Sequence, residues 1–424
     1  MIFTKKYDEL LREETYTAEH KSGLKVVVIK KNTAKSYATF STRYGSINTE
    51  FVVPGETEVT KVIDGVAHFL EHKVFEQPDG SSAFSLFKGA SVNAFTSFDV
   101  TNYLFSCTDY FYENFRSLLS YVQTPYFTAE NVEKEKGIIC QEVRMYDDDA
   151  GQVCFYNCLR GMYKNHPVHT EIAGSVEEVM KTTPELLYKC YNTFYHPSNM
   201  AVICVGNIDP EKLGDIVDEL ITKEKPEGEI QQVFPEEPRE IVSAESEAYF
   251  EIAKPQFMLG FKDARTGGEM LKREIVSEAL IQVLTGRSSP LYERLYSEGI
   301  INRYFGGYYE YGTSFGYAAF SGESSEPKTV AEAIYAEIDR VKAEGIDPEA
   351  WNRAMNLLYG RYIRLMGGDV ENIGNSYMFS FHRGIDLLSY PDVWKTVTIE
   401  DGEACLRELF NRDKASLSIV YPKK

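Results

Sequence analysis

The chain has 424 residues, too many for one compact core, so two or more domains are expected. Its 43% hydrophobic and 13% aromatic content exclude a disordered polymer. The net charge of −19 argues against a nucleic-acid or anionic-membrane partner and is compatible with basic or unstructured peptides.

Residues 1–9 hold no apolar segment of signal-peptide length, and the longest apolar run, about 200–205, is strand-sized. The seven cysteines lie mostly in apolar segments, which fits a reduced, cytoplasmic setting. Residues 16–56 read as opening strands, with β-rich runs at 24–29 and 37–42. The next stretch, Asp64-Gly65-Val66-Ala67-His68-Phe69-Leu70-Glu71-His72-Lys73-Val74-Phe75, reads as a helix with Asp64 as N-cap. His68 and His72 are four residues apart and share one face, so their imidazoles can close on one metal ion. Glu71 lies beside the pair, within reach of a metal-bound water without being a ligand. The order reverses that of the common zinc-protease helix motif. The competing reading is a buried helix whose histidines bond to backbone carbonyls. With only 7 histidines in the chain and an otherwise apolar helix, His, Glu and His together need a partner that offsets their burial.

Residues 89–99 and 101–107 read as a hairpin whose first arm is small and polar. Such an arm can be an edge strand whose free backbone N–H and C=O groups accept an extended peptide by strand addition. An ordinary solvent-facing edge is the alternative. Helices are expected over 109–124 and about 128–148. In the second, Glu135 and Glu142 are two turns apart on one face, with Ile138, Ile139, Met145 and Tyr146 around Glu142. A carboxylate in an apolar stripe calls for a cation, so Glu142 is the candidate third ligand and Glu135 its neighbour. A peripheral salt bridge is the competing reading. Cys154 and Cys158 share a helix face but lack a second ligand pair and read as core. A helix over 184–196, a buried strand over 200–206 and a helix over 211–223 follow.

The charged, proline-containing stretch 226–240 is the best linker. It divides the chain into a catalytic domain, 1–225, and a second domain, 241–424. The second half repeats the first's order: a strand at 256–261, a helix at 268–284, strands within 302–321, helices at 328–344 and 348–366, and a last strand at 415–421. It has no His-x-x-Glu-His, and its single histidine, His382, reads as structural. The repeat is architectural rather than catalytic.

Four features occur in order: His68-Phe69-Leu70-Glu71-His72, Asn93-Ala94-Phe95-Thr96, the Glu135-to-Glu142 helix, and Phe194-Tyr195-His196-Pro197-Ser198-Asn199-Met200. Together they resemble the pitrilysin/insulinase/mitochondrial-processing-peptidase family of zinc peptidases, over essentially the whole chain. The likeness is nearest to bacterial half-shell members, some associated with elongation factor P modification. The resemblance implies an α+β fold of two homologous α/β domains, each a mostly antiparallel sheet packed with helices, forming half of a clamshell. It implies one zinc per chain on His68, His72 and Glu142, Glu71 as general base, Glu135 in support, and Asn93, Ala94 and Phe95 holding substrate. The implied activity is endoproteolysis of short or unfolded peptides inside a chamber closed by a second half-shell.

Many members of that family carry an Arg and a Tyr seven apart in the second domain. Here Tyr296 stands about where the Arg is expected. A heterodimer with a homologous subunit supplying that pair is therefore expected, a homodimer being the alternative. Two other functions compete: a non-catalytic peptide-binding or scaffolding subunit, and a zinc hydrolase acting on a non-peptide amide. Such non-catalytic subunits usually lose part of the ligand set, and all five positions stand here. A strand-shaped edge beside the metal favours peptides.

Overall fold

The computed structural model describes residues 1–265 and 267–423. The chain opens with strands β1 (Thr4–Asp8), β2 (Glu13–Glu19), β3 (Lys25–Lys30) and β4 (Ser36–Thr42), then two short ones, β5 (Glu50–Val52) and β6 (Val59–Lys61). Helix α1 (Val66–Val74) precedes the hairpin β7 (Ala90–Thr96) and β8 (Thr101–Cys107). Helices α2 (Phe111–Val122), α3 (Ala129–Asp147), α4 (Ala150–Met162), α5 (Val176–Val179) and α6 (Pro184–Phe194) lead to β9 (Met200–Gly206) and α7 (Pro210–Leu220). The second half holds β10 (Gln231–Gln232), β11 (Glu245–Phe250), β12 (Gln256–Asp263), α8 (Met270–Thr285), α9 (Pro290–Ser297), β13 (Gly306–Tyr311) and β14 (Gly316–Glu323). It closes with α10 (Pro327–Glu344), α11 (Pro348–Met366), α12 (Val370–His382), α13 (Tyr390–Thr396), α14 (Ile399–Leu409) and β15 (Ala415–Pro422). Among the described residues no helix is long and apolar enough to cross a membrane.

Two compact units result, and neither is one continuous segment. The first comprises residues 1–143, 171–233 and 363–387; the second takes 144–170, 234–362 and the rest. The sequence reading placed two continuous domains on either side of 226–240. The unit junction at 233–234 lies inside that stretch, but each half also lends one helix to the other's unit. Helix α4 packs on β15 and β12, and α12 packs on β9 and β4. Both helices start at an Asp cap, Asp149 and Asp369, immediately after the long helices α3 and α11. These caps stop the preceding helix and start a new direction, which composition does not reveal.

The first unit is built on a seven-stranded sheet ordered β1-β2-β3-β9-β4-β8-β7. Its middle strands, β4, β8 and β9, are buried along their whole length. Strand β3 runs parallel to β9, and the pairings β9–β4, β4–β8 and β8–β7 are antiparallel. Strand β7 ends the order, so one side of its backbone ladder has no neighbour in the sheet. The second unit's five-stranded sheet runs β11-β15-β12-β14-β13. Its single parallel pair is β11–β15. The mixed sheets with packed helices make this an α+β fold of two similar units. Cys154 and Cys158 on α4 are buried core thiols bonded to the carbonyls of Ser418 and Ser416. His382 is buried and shares a 2.8 Å hydrogen bond with Ser41 Oγ.

A candidate metal centre at the edge of the first sheet

Helix α1 turns Val66, Ala67, Phe69, Leu70 and Val74 into the core. That apolar set fixes which way His68, Glu71 and His72 face. The helix does not start as expected. Gly65, at φ 84°, is the N-cap, and no side chain caps the helix. A Cβ at Gly65 would lie 2.3 Å from the carbonyl oxygen of Ala173, so only glycine fits this approach. Asp64 is therefore displaced from the capping role.

Helix α3 crosses α1 and presents Glu135 and Glu142. Ile139 and Val143 are buried beside them, but Ile138 and Met145 are 48% and 60% exposed. The apolar stripe expected around Glu142 is thus half absent. Ile138 and Met145 lie on one flank of the helix, turned toward solvent, and Glu142 sits at the boundary. What faces Glu142 is the histidine pair.

His68 Nε2 is 3.7 Å from Glu142 Oε1, and His72 Nε2 is 3.4 Å from Glu142 Oε2. One ligand atom from each of His68, His72 and Glu142 can be chosen so that all lie within 4.8 Å of one another. A tetrahedral ion with bonds of about 2.1 Å needs ligand atoms about 3.4 Å apart, so the residues fit a zinc-type ion. His72 Nδ1 lies 3.1 Å from Glu135 Oε1, which leaves Nε2 directed to the cluster. His68 Nδ1 is buried with no hydrogen-bond partner. Among the described residues neither ring bonds to a backbone carbonyl, unlike the histidines of the competing structural reading.

The electrostatics of the cluster also favour a cation. Burial works to lower the His72 pKa, but its hydrogen bonds to the carboxylates of Glu135 and Glu142 and the charge of Glu71 hold it up at about 10. Burial raises Glu135, yet His72 and Lys73 bring it net below its ordinary value. The carboxylates around His72 thus favour positive charge at this position.

Thr96 Oγ1 donates a 3.0 Å hydrogen bond to Glu71 Oε2, and the charge of Glu71 also acts on His72. Thr96 is the last residue of β7, paired with Thr101 across the hairpin. By the alternation of strand side chains, Ala94 shares the Thr96 face, while Asn93 and Phe95 face the other way. Phe95 stacks on Phe379 of α12 at 5.8 Å. The exposed edge of β7 is therefore tied directly to Glu71.

Sequence reasoning missed two residues here. Thr96 is one. The other is Lys73, a lysine with no solvent exposure, whose ammonium contacts Glu76, the carbonyl of Asn131 at 3.2 Å and Glu135 at 3.8 Å. Burial pushes its pKa down to about 8. A lysine inside an apolar helix was the available signal, since it must be paired. Lys73→Met should lower metal affinity by about 10- to 100-fold, because Glu135 would lose the cation beside it and hold His72 less firmly. Metal titration of the folded variant checks this, and an unchanged affinity would remove Lys73 from the site.

The second unit repeats the geometry with different chemistry. Glu274 and Glu278 stand four apart on α8, and Arg361 occupies α11 at the position, thirteen residues from the helix start, that Glu142 occupies on α3. Arg361 Nη1 is 3.8 Å from Glu278 Oε2, and the Tyr309 N–H donates to Glu278 Oε1 at 2.7 Å. A guanidinium thus stands among carboxylates, so the unit supplies its own cation. Burial, with Glu274 and Glu310 nearby, pushes Glu278 up to about 7 against the pull of the Tyr309 N–H and Arg361. A carboxyl raised in the fold contributes stability that is complete below about pH 4.5 and lost as pH rises through about 7. Glu278→Gln should therefore raise the melting temperature at pH 8, by at most about 3 kcal/mol in stability. It should change little at pH 5. Equal shifts at both pH values would refute the assignment.

The comparisons with known proteins agree with this geometry. The family model described as insulinase, peptidase family M16, matches residues 51–176, and that of the peptidase M16 inactive domain matches 181–358. The uncharacterized zinc protease YmfH of Bacillus subtilis is 39% identical, over 98% of each chain. A second uncharacterized zinc protease of that organism, YmxG, is 23% identical over 87% of this chain and 91% of its own. The crystal structure of an M16-like peptidase from Alicyclobacillus acidocaldarius superposes with a TM-score of 0.92 at 33% identity, over 100% of this chain and 99% of the other. The periplasmic protease PqqL of Escherichia coli shares the fold, with a TM-score of 0.73 at 19% identity, over 98% of this chain and 48% of its own. With a zinc protease relative 39% identical over 98% of each chain and a family model over residues 51–176, the chain belongs to the M16, or insulinase, family of peptidases.

Proposed function

We propose that the chain is a zinc-dependent endopeptidase subunit that cleaves extended peptides paired to the free edge of β7. The observation that carries this reading is the bond between Thr96 and Glu71. It joins the strand that can receive a peptide to the carboxylate that can move a proton, beside a metal-ligand cluster. His68, His72 and Glu142 would hold the ion. When bound, zinc supplies a Lewis acid that polarises a carbonyl and acidifies a coordinated water.

The chain's own residues do the rest. The backbone of β7 at Asn93, Ala94 and Phe95 offers N–H and C=O groups that fix an extended peptide in register. Thr96 holds one oxygen of Glu71, so the other is free to take a proton and deliver it to the leaving amine. Glu135 keeps a proton on His72 Nδ1 and so keeps Nε2 available as a ligand. Lys73 keeps Glu135 ionised.

In this reading the chain is one half-shell, and a homologous subunit closes the chamber and supplies the Arg–Tyr pair. Two features support it. The chain spans about half the length of PqqL. Tyr296 is 52% exposed, and the nearby Arg303 is engaged with Tyr304 at 2.7 Å rather than poised as a free guanidinium. The seven free thiols support a cytoplasmic setting.

The test is peptide hydrolysis by the purified chain, alone and mixed with its homologous subunit, with zinc quantified in the same samples. Cleavage only in the mixture, with one zinc per copy of this chain, is expected. Cleavage by the chain alone would assign the whole site to a homodimer. Zinc without cleavage in either sample would turn the reading to a peptide-binding subunit.

A further inference from the structure

The first unit carries a second concavity, of about 610 Å³, at the end of its sheet where β3 and β9 begin and β4 finishes. Its charged lining is the reverse of the chain's overall balance. Lys25, Arg43, Lys225 and Arg383 line it against one carboxylate, Glu229, in a protein of net charge −19.

The motif His196-Pro197-Ser198-Asn199-Met200, which the metal centre does not use, builds its floor. Asn199 grips Arg43 from both sides: its carbonyl accepts the Arg43 N–H at 3.1 Å, and its side-chain amide donates to the Arg43 carbonyl at 3.4 Å. The next residue, Tyr44, stacks on Phe194 at 3.9 Å. Gly23, at φ +89°, lies against Ser198 so closely that a Cβ would come within 2.9 Å of Ser198 Cβ. The backbone under Arg43 is therefore fixed.

Three of the four cations have acidic partners. Lys25 and Lys225 bond to Glu19, and Arg383 lies 3.5 Å from Asp99. Arg43 has no ion-pair partner among the described residues. An exposed guanidinium on a fixed backbone, with no acid partner among the described residues, at the mouth of a basic cleft, is suited to bidentate capture of a carboxylate. The volume lies within the range of ligand clefts of about 300–1,000 Å³ and far exceeds that of a lone ion. Val53, Pro54, Ile230 and Phe381 add apolar wall. Basic anchor and apolar wall together match a peptide end that carries a carboxylate.

We propose that this cleft binds the anionic end of a short peptide, with Arg43 as its anchor and Arg383 as a second guanidinium. Arg383 also reaches Asp99 in the turn of the β7–β8 hairpin, so occupancy of the cleft bears on the hairpin whose edge faces the metal centre. The peptide character of the ligand rests on the proposed peptidase reading; the anion site itself does not.

The test is calorimetric titration of the full-length Glu71→Gln chain, so that no peptide is consumed. The probes are a six-residue peptide ending in Glu with a free C-terminus, its amidated Gln counterpart, and inorganic phosphate. The acidic peptide should bind at least about tenfold more tightly than the neutral one. Arg43→Ala should remove that difference without changing zinc content, and Arg43→Lys should restore part of it. Equal affinity for the two peptides, or a difference that survives in Arg43→Ala, would overturn the proposal. Phosphate binding as tight as the acidic peptide would overturn its peptide part and assign the cleft to a small free anion. Absence of hydrolysis by the wild-type chain, with the charge discrimination intact, would count against the peptidase reading alone.

Discussion

Replacing Glu71 by Gln should leave zinc bound and lower peptide turnover by about 10²- to 10⁴-fold. The amide has the carboxylate's shape and its oxygen can still accept the Thr96 hydroxyl, so the β7 edge should keep its position. What disappears is the ability to take and return a proton. The fall should therefore appear in kcat with KM nearly unchanged, since peptide pairing to the strand does not involve that proton. Zinc quantification beside single-turnover kinetics checks both halves. Loss of zinc from the variant would mean that Glu71 is a ligand, and the proposed division of roles would fail.

Glu142→Ala carries the second large effect, a fall in zinc affinity of at least about 100-fold. It removes one of the three proposed ligands, and a three-ligand zinc site already leaves a position open. The pH dependence gives a sharper signature. In the metal-free wild type, His72 holds a proton with a pKa of about 10 because Glu135 and Glu142 outweigh its burial. Zinc must displace that proton. The apparent zinc affinity should therefore rise about tenfold per pH unit from near pH 7 and level off above about pH 10. In Glu142→Ala one of the two bonds that raise His72 is gone, so the levelling should move to lower pH. Competition with a calibrated chelator at several pH values measures it. A wild-type affinity independent of pH across that range would refute the raised His72 pKa, and ligation by His72 would then be tested by the zinc content of His72→Ala.

The comparison of the two units explains why one repeat is expected to hold metal and the other is not. The same pair of helices, α1 with α3 and α8 with α11, brings three side chains together in each. Two imidazoles and a carboxylate leave room and charge for an ion. Two carboxylates and Arg361 form a set that already contains its cation. The fold offers the same corner twice, and the residue types decide its use.

The sequence by itself indicated most elements and the candidate metal-ligating residues. Helical spacing placed His68 and His72 on one face, and the two-turn interval placed Glu135 with Glu142. The small, polar first arm at 89–99 is the candidate edge strand, and β7 is the last strand of its sheet. Local patterns carried this information because it depends only on the periods of helix and strand. Tertiary structure alone decided the rest. The start of α1 is set by the close backbone approach of Ala173 to Gly65, more than a hundred residues away in the chain. The exchange of α4 and α12 depends on where two capped helices find a sheet to cover, which no local window contains. Thr96 and Lys73 enter the site because β7 and α3, distant in the chain, both pack against α1. Arg43 becomes a candidate anchor only because Asn199 grips its backbone from another strand's end. Spacing along the chain reports which residues share a face. What faces them depends on packing between segments distant in sequence, and that packing decides which charges are paired and which are left for a ligand.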